Sequence, residues 1–230
     1  MSIVDKEFGE IKIRKNKLAR SVKLSVGVDG SLRASIPYYS PEFAVRRLVN
    51  GNRDEIRKML ATHNAKNSYQ DGDLIGKTHT LFLRKFSGEE IKISNEGNQI
   101  LIQIPQGLAF ENPLVQSEIR KTVSKILRKQ AKAYLPRRIS FLAEKYGFNF
   151  EKLRFSHTGT RWGSCSSSGT ISLNIALMNL PHHLIDYVII HELCHTRQMN
   201  HSSKFWQEVE KYCPDYKKCV QEMKQFSPSI

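Results

Sequence analysis

The stretch "HELCHTRQMNH", from His191 to His201, gathers three of the chain's eight histidines and one glutamate into eleven residues. On a helix, side chains four residues apart leave the same face about one turn apart. His191 and His195 therefore aim two imidazoles at one point, the spacing that offers a tetrahedral zinc ion two nitrogen ligands at about 2.0–2.1 Å. Glu192 lies about 100° further round the helix, aside from the ligand direction but near enough to hold a water beside the metal. A carboxylate there takes a proton from that water, whose pKa the metal lowers, and passes it to the leaving group. This is the chemistry of the HExxH pattern. The competing reading is a pair of core histidines satisfied by ordinary hydrogen bonds. Against it, "HHLIDYVIIHELCH" is apolar around most of its circumference and reads as a buried helix. Imidazoles and a carboxylate buried there are costly unless something engages them, and a metal engages all of them.

A third ligand comes from one of two places. His201 follows His195 by six residues, just past the expected helix end near Gln198 and ahead of Ser202 and Ser203, which read as caps of the next helix. Glu208 and Glu210, on that following helix, are the alternatives. Either set leaves a coordination position open, as catalytic rather than structural sites do. The expected cofactor is one zinc ion, although another divalent metal would suit the same donors.

The elements that must position these groups follow from periodicity. "EIKIRKN", "RSVKLSVGV" and "SLRASIP" alternate apolar and polar residues as strands do, with "VDGS" at 28–31 reading as a hairpin turn. A helix then opens near Ser40 and Pro41 and is interrupted at Gly51 and Asn52. "THTLFLRKF", "EIKIS" and "ILIQIP" form a second strand group. Asn112 and Pro113 open a long helix with an apolar stripe through Ile119, Val123, Leu127, Leu142 and Tyr146, which Pro136 should kink or split. Two short strands, "KLRFSH" and "GTISLNIAL", precede the HExxH helix, which begins after Pro181. A last helix runs from Ser202 to Cys213. The expected fold class is α+β: an N-terminal antiparallel β-rich region with one helix over residues 1–112, then a helical zincin-like core over 113–230 with a short β-hairpin beside the HExxH helix. No internal repeat implies a solenoid.

Composition excludes several classes. The four cysteines form no CxxC pair, so a zinc-finger or thioredoxin-like reading has no support. The longest apolar stretch, Leu184 to Ile190, is too short to span a membrane, and the first residues lack a signal-peptide pattern, so no membrane partner and a cytoplasmic location are expected. The formal net charge is +14. Nine Lys or Arg against Glu118 and Glu144 lie between Glu118 and Lys145, so this segment carries half of the excess. A basic helix over 118–147 reads either as a solvated face or as a surface for nucleic acid or another polyanion.

Two stretches, "RWGSCSSSGTISLN" at 161–174 and "HELCHTRQMNHSSKFW" at 191–206, resemble the YgjP-like metallohydrolases, small relatives of the SprT and WLM-type zinc peptidases. "ARSVKLSVGVDGSLRASIP", from Ala19, is similar to the family's start, so the likeness covers nearly the whole chain. The resemblance implies that His191, His195 and His201 bind zinc and that Glu192 is the general base. It implies either peptide or nucleotide substrates, since nucleotide pyrophosphatase activity has also been ascribed to YgjP-like proteins. The metzincins carry a glycine where this chain has Gln198, so the turn to His201 must be built differently here. In zinc peptidases an edge strand beside the metal binds the substrate main chain, and "TISLNIAL" suits that role. Arg161, Trp162 and Asn174 are the candidate substrate contacts: Arg161 for a phosphate or carboxylate, or else a salt bridge that pins the hairpin, and Trp162 for a substrate face or the core. Cys165 is a candidate inhibitory thiolate, and His157, Tyr212 and Tyr216 are candidate oxyanion donors.

These features lead to a zinc-dependent, metallopeptidase-like hydrolase in which Glu192 activates water. The alternatives are a metal-dependent nucleoside triphosphate (UTP-type) pyrophosphatase and a nucleic-acid-associated protein that uses the basic helix. Against the pyrophosphatase, the sequence has no P-loop and no Asp/Glu cluster of the kind that holds magnesium.

Overall fold

The structure, a computed structural model, describes residues 1–27, 31–66 and 68–230. The turn expected at 28–31 falls on residues 28–30, outside the described residues.

Four strands, β1 (Ser2–Asp5), β2 (Gly9–Asn16), β3 (Lys23–Val26) and β4 (Leu32–Pro37), form a sheet in the order β1-β2-β4-β3. The period-two pattern buries Ile11 and Ile13 of β2 and Leu32, Ala34 and Ile36 of β4 on one face. Helices α1 (Phe43–Gly51) and α2 (Arg53–Lys66) follow, and the chain breaks between them at Gly51 and Asn52 as expected. Val45, Val49 and Ile56 cover the apolar face of the sheet and complete one core cluster. The helix starts later than Ser40, with Glu42 at its N-cap and no side-chain cap.

A second sheet, β5 (Leu74–Ile75), β6 (His79–Phe86), β7 (Lys92–Glu96) and β8 (Gln99–Pro105), is ordered β5-β6-β8-β7. Its connectivity repeats that of the first sheet. In each, the second and fourth strands pair in parallel, and the third returns antiparallel to the fourth. The third sheet uses the same three-strand unit: β9 (Lys152–Ser156) runs parallel to β11 (Thr170–Asn174), and β10 (Gly163–Cys165) is antiparallel to β11. Each unit is followed by helix. The repetition is one of topology, with no sequence period to announce it.

Helix α3 (Pro113–Tyr146) spans 34 residues. Asn112 Oδ1 caps it by accepting from the Leu114 amide at 2.9 Å, and Gly147 ends it in the left-handed region at φ 67°. Of the kink or split expected at Pro136, the split is not found, because the helix runs through that residue. Ala131, Leu135, Ile139 and Leu142 keep both halves on one core, and their burial outweighs the roughly 3 kcal/mol that a mid-helix proline costs. The buried face of α3 joins the second and third sheets and the helices after them in one large cluster. That cluster reaches back in the chain to Ile75.

After β11 the chain takes a 3-10 turn at Ile175–Asn179, so the strand read in "GTISLNIAL" ends at Asn174. Helices α4 (His182–Cys194), α5 (Ser203–Tyr212) and α6 (Tyr216–Met223) complete the chain. The molecule is thus α+β, with a β-rich N-terminal part and the hairpin β10–β11 set against α4. Among the described residues no helix is long and apolar enough to cross a membrane.

Candidate metal centre and active site

Helix α4 is buried on most sides: Leu184, Ile185, Ile189, Leu193 and Cys194 are inaccessible to solvent. Its run of β-branched residues is a poor intrinsic helix former, so tertiary burial carries this helix. At its C-terminal end the chain turns without any non-glycine residue at positive φ among the described residues. Instead, the amides of Arg197 and Gln198 both donate to the Cys194 carbonyl, at 3.0 and 2.9 Å. This is how the chain manages without a glycine at Gln198.

The turn delivers His201 to the other two histidines. The ligand atoms of His191, His195 and His201 all lie within 4.8 Å of one another, and the Nε2 atoms of His191 and His201 are 3.1 Å apart. Nitrogens on a tetrahedral zinc at the usual bond length are separated by about 3.3 Å, so this spacing fits a shared ion. The Gln198 carbonyl lies 3.1 Å from His195 Nδ1 and accepts its proton, which fixes the tautomer that leaves the Nε2 lone pair free. Burial pushes the His191 imidazole down to about 3, helped by the neighbouring His195 and His201, and burial also lowers His195. Both rings are therefore neutral near pH 7, the state that a metal ligand requires. Glu208, one of the alternative ligands, is bound to Arg197 Nη1 at 2.5 Å, and Glu210 is exposed. Among the described residues the trio of histidines is the group of side chains able to hold a metal.

Phe205, which the sequence reading did not single out, braces all three rings. It is fully buried, stacks on His195 with centroids 4.4 Å apart, and meets His191 and His201 edge-on at 4.9 and 4.8 Å. Trp206 stacks on His201 and is itself backed by Tyr216. Arg197 staples the turn in place: its guanidinium lies 4.0 Å over the Phe148 ring and also donates to the Gly147 carbonyl and the Tyr212 hydroxyl.

Glu192 points to the other side, against β10. Its Oε2 is buried with no hydrogen-bond partner, and burial pushes its carboxyl up to about 8, with Arg161 pulling in the opposite direction. A Cβ on Gly163 would sit 2.5 Å from Glu192 Oε1 and 2.8 Å from Cδ. Only glycine lets the strand backbone come this close, which explains one residue of the "RWGSC" run. Cys165 lies on the same face of the hairpin, and burial first, then Glu192, raises its pKa. It is a thiol whose Sγ donates to the Ser166 carbonyl at 3.4 Å, rather than a thiolate.

The other sequence candidates are dispersed. Trp162 is half-buried against the large core, and Arg161 is exposed at the head of β10. Asn174 is fully buried behind the site: its Nδ2 donates to the carbonyls of Thr158, Arg161 and Pro228, and its Oδ1 accepts from the Ala176 amide. With every hydrogen-bonding atom so engaged, Asn174 holds the loop that leads into β10. The strand "TISLN" is central in its sheet, so the edge beside Glu192 is β10 instead. His157 faces Ser124, and the Tyr212 hydroxyl is held by Arg197.

The chain is similar to the crystal structure of the metallopeptidase zymogen of Pyrococcus abyssi abylysin, at 28% identity over 40% of this chain and 93% of that one, with a TM-score of 0.36. It is also similar to the crystal structure of the metallopeptidase zymogen of Methanocaldococcus jannaschii jannalysin, at 23% identity over 38% and 95% of the two chains, with a TM-score of 0.33. No curated protein matches. The YgjP-like metallopeptidase domain matches residues 20–226, nearly the whole length, and the chain belongs to that family of metal-dependent hydrolases.

Proposed function

We propose that the chain is a zinc-dependent peptidase in which Glu192 is the general base. The observation that carries this reading is the buried, unpartnered Oε2 of Glu192, next in the chain to His191, one of three converging imidazoles. Bound by those imidazoles, zinc would supply Lewis acidity to the scissile carbonyl and to the attacking water. In its ionised form, which a cation held by the neighbouring imidazoles would favour, Glu192 accepts the proton of that water at Oε2 and returns it to the departing amine. Its burial keeps bulk water from competing for that oxygen, and Gly163 leaves room for the carboxylate beside β10.

Strand β10 orients the substrate. The Trp162 carbonyl accepts from the Asn174 amide, and the Ser166 amide donates to the Thr170 carbonyl. The alternation of an antiparallel ladder then turns the N–H and C=O of Gly163 and Cys165 to the open edge. An extended peptide adds there as a further strand and brings its main chain past Glu192.

The basic helix supports the polyanion reading less than its charge count suggests. Arg120 is buried, Lys121 pairs with Glu118, and Arg138 pairs with Asp186. Lys125, Arg128, Lys129, Lys132, Arg137 and Lys145 remain, and the first four are spaced to share one face of α3.

The reading is tested by incubating zinc-loaded and chelator-stripped protein with a mixed peptide library and a panel of nucleoside triphosphates. Peptide cleavage that is lost on chelation and restored by zinc is the expected result. Metal-dependent release of pyrophosphate from a nucleotide, with the peptides left intact, would move the assignment to phosphoanhydride hydrolysis.

A further inference from the structure

The face of the third sheet that carries Ser164 and Ser172 holds a cavity lined by basic and hydroxyl side chains. In register, Ser164 lies opposite Ser172, and Ser172 pairs with Arg154 of β9. Directly paired residues project to the same side of a sheet, so these three form one row across the outer face. With Arg161 and Thr170 they line a cavity of about 420 Å³ in which no side chain is a carboxylate. Elsewhere Arg53, Arg57, Arg84, Arg138 and Arg197 each face a carboxylate. Among the described residues Arg154 and Arg161 make no salt bridge, Arg161 acting on the Glu192 carboxyl only from a distance, and the hydroxyls of Ser164, Thr170 and Ser172 are uncommitted there. Two guanidinium groups and a row of free hydroxyls, with no acid among them, match the oxygens of a carboxylate or phosphate.

The position of this cavity indicates what carries the anion. A peptide paired to the open edge of β10 hydrogen-bonds with Gly163 and Cys165, and its residue opposite Ser164 projects to the same side as Ser164. That side chain lies over the cavity, while its two neighbours project toward Glu192. We propose that this cavity is a substrate-selecting subsite for one anionic side chain (aspartate, glutamate or phosphoserine) of an extended peptide. The proposal rests on the peptidase reading above and goes beyond it by naming the substrate class. It makes Arg154, distant in sequence from the HExxH helix, a residue that determines specificity.

The test measures peptide binding to zinc-loaded Glu192→Gln protein by fluorescence anisotropy, with a neutral extended peptide along which a single Glu, phosphoserine or Gln is moved position by position. One position should favour Glu or phosphoserine over Gln by at least about tenfold, and its immediate neighbours should not. In Arg154→Gln that ratio should fall to about one, and Arg154→Lys should recover part of it. The relative strength of Glu and phosphoserine tells which oxyanion the cavity prefers. Equal binding of acidic and neutral peptides at every position overturns the proposal. So does a preference that Arg154→Gln leaves intact, or an Arg154-dependent affinity shown by nucleoside triphosphates alone. Cleavage of the parent peptide by the wild-type enzyme is followed in parallel. Cleavage without acidic preference removes the subsite and leaves the peptidase; acidic preference without cleavage does the reverse.

Discussion

Glu192→Gln is expected to retain zinc and to lose turnover by about 10²–10⁴-fold, the range that general acid–base catalysis supplies. The substitution preserves volume and leaves the three imidazoles untouched, so the binding geometry survives. It removes the one group on this helical turn that can take a proton, because Oε2 becomes either a donor or a weakly basic carbonyl. In a pocket that buries this side chain so deeply, a neutral amide is also easier to accommodate than a carboxylate. The variant should therefore be as stable as the wild type or more so, which separates the catalytic loss from a folding defect. Metal content by elemental analysis, thermal melting and kcat on a cleaved peptide check the three parts. Undiminished kcat would remove Glu192 from the mechanism.

Gly163→Ala is expected to reduce activity nearly as severely, although residue 163 makes no side-chain contact at all. The added methyl would stand 2.5, 2.7 and 2.8 Å from Oε1, Cγ and Cδ of Glu192, far inside van der Waals contact. Either the carboxylate swings away or β10 retreats from α4. A displacement of about 1 Å at a reacting group costs on the order of 10²-fold in rate, and forcing a methyl into a filled space costs about 1–3 kcal/mol of stability. Zinc affinity should change little, since the imidazoles come from α4 and the turn after it. The pattern expected from kinetics and metal titration is a fall in kcat with metal retained. Wild-type kcat in this variant would mean that the strand and the carboxylate are not in the close contact described.

The parts of this site legible in the sequence are those set by local geometry. Spacing alone placed His191 and His195 together and Glu192 beside them, because a helix fixes those relations by itself. The break at Gly51 and Asn52 and the cap at Asn112 are likewise local, and both are found. What the sequence did not yield depends on partners distant in the chain. Phe205 is one apolar residue of an amphipathic helix until α5 docks and sets it against three imidazoles. Asn174 looked like a polar residue at a strand end, and only the arrival of the 158–161 loop and of Pro228 shows its amide to be fully used. Pro136 would end an isolated helix, but the packed core on either side of it holds the helix together. The third sheet reversed an expectation for the same reason: β9 joins β11 in parallel from ten or more residues away, which makes β11 central and β10 the edge. The recurrence of one strand topology in three sheets left no trace in residue periodicity, because hydrogen-bond order does not require similar side chains.

The central claim, that His191, His195 and His201 converge on one ion, is tested most directly by X-ray absorption at the zinc edge on purified protein, with His201→Ala beside the wild type. The account predicts one zinc per chain with three imidazole nitrogens at about 2.0–2.1 Å. In His201→Ala it predicts two nitrogens and zinc binding weaker by at least about tenfold. A shell that contains a protein carboxylate and is unchanged by His201→Ala, or a protein that binds no divalent ion, would contradict it.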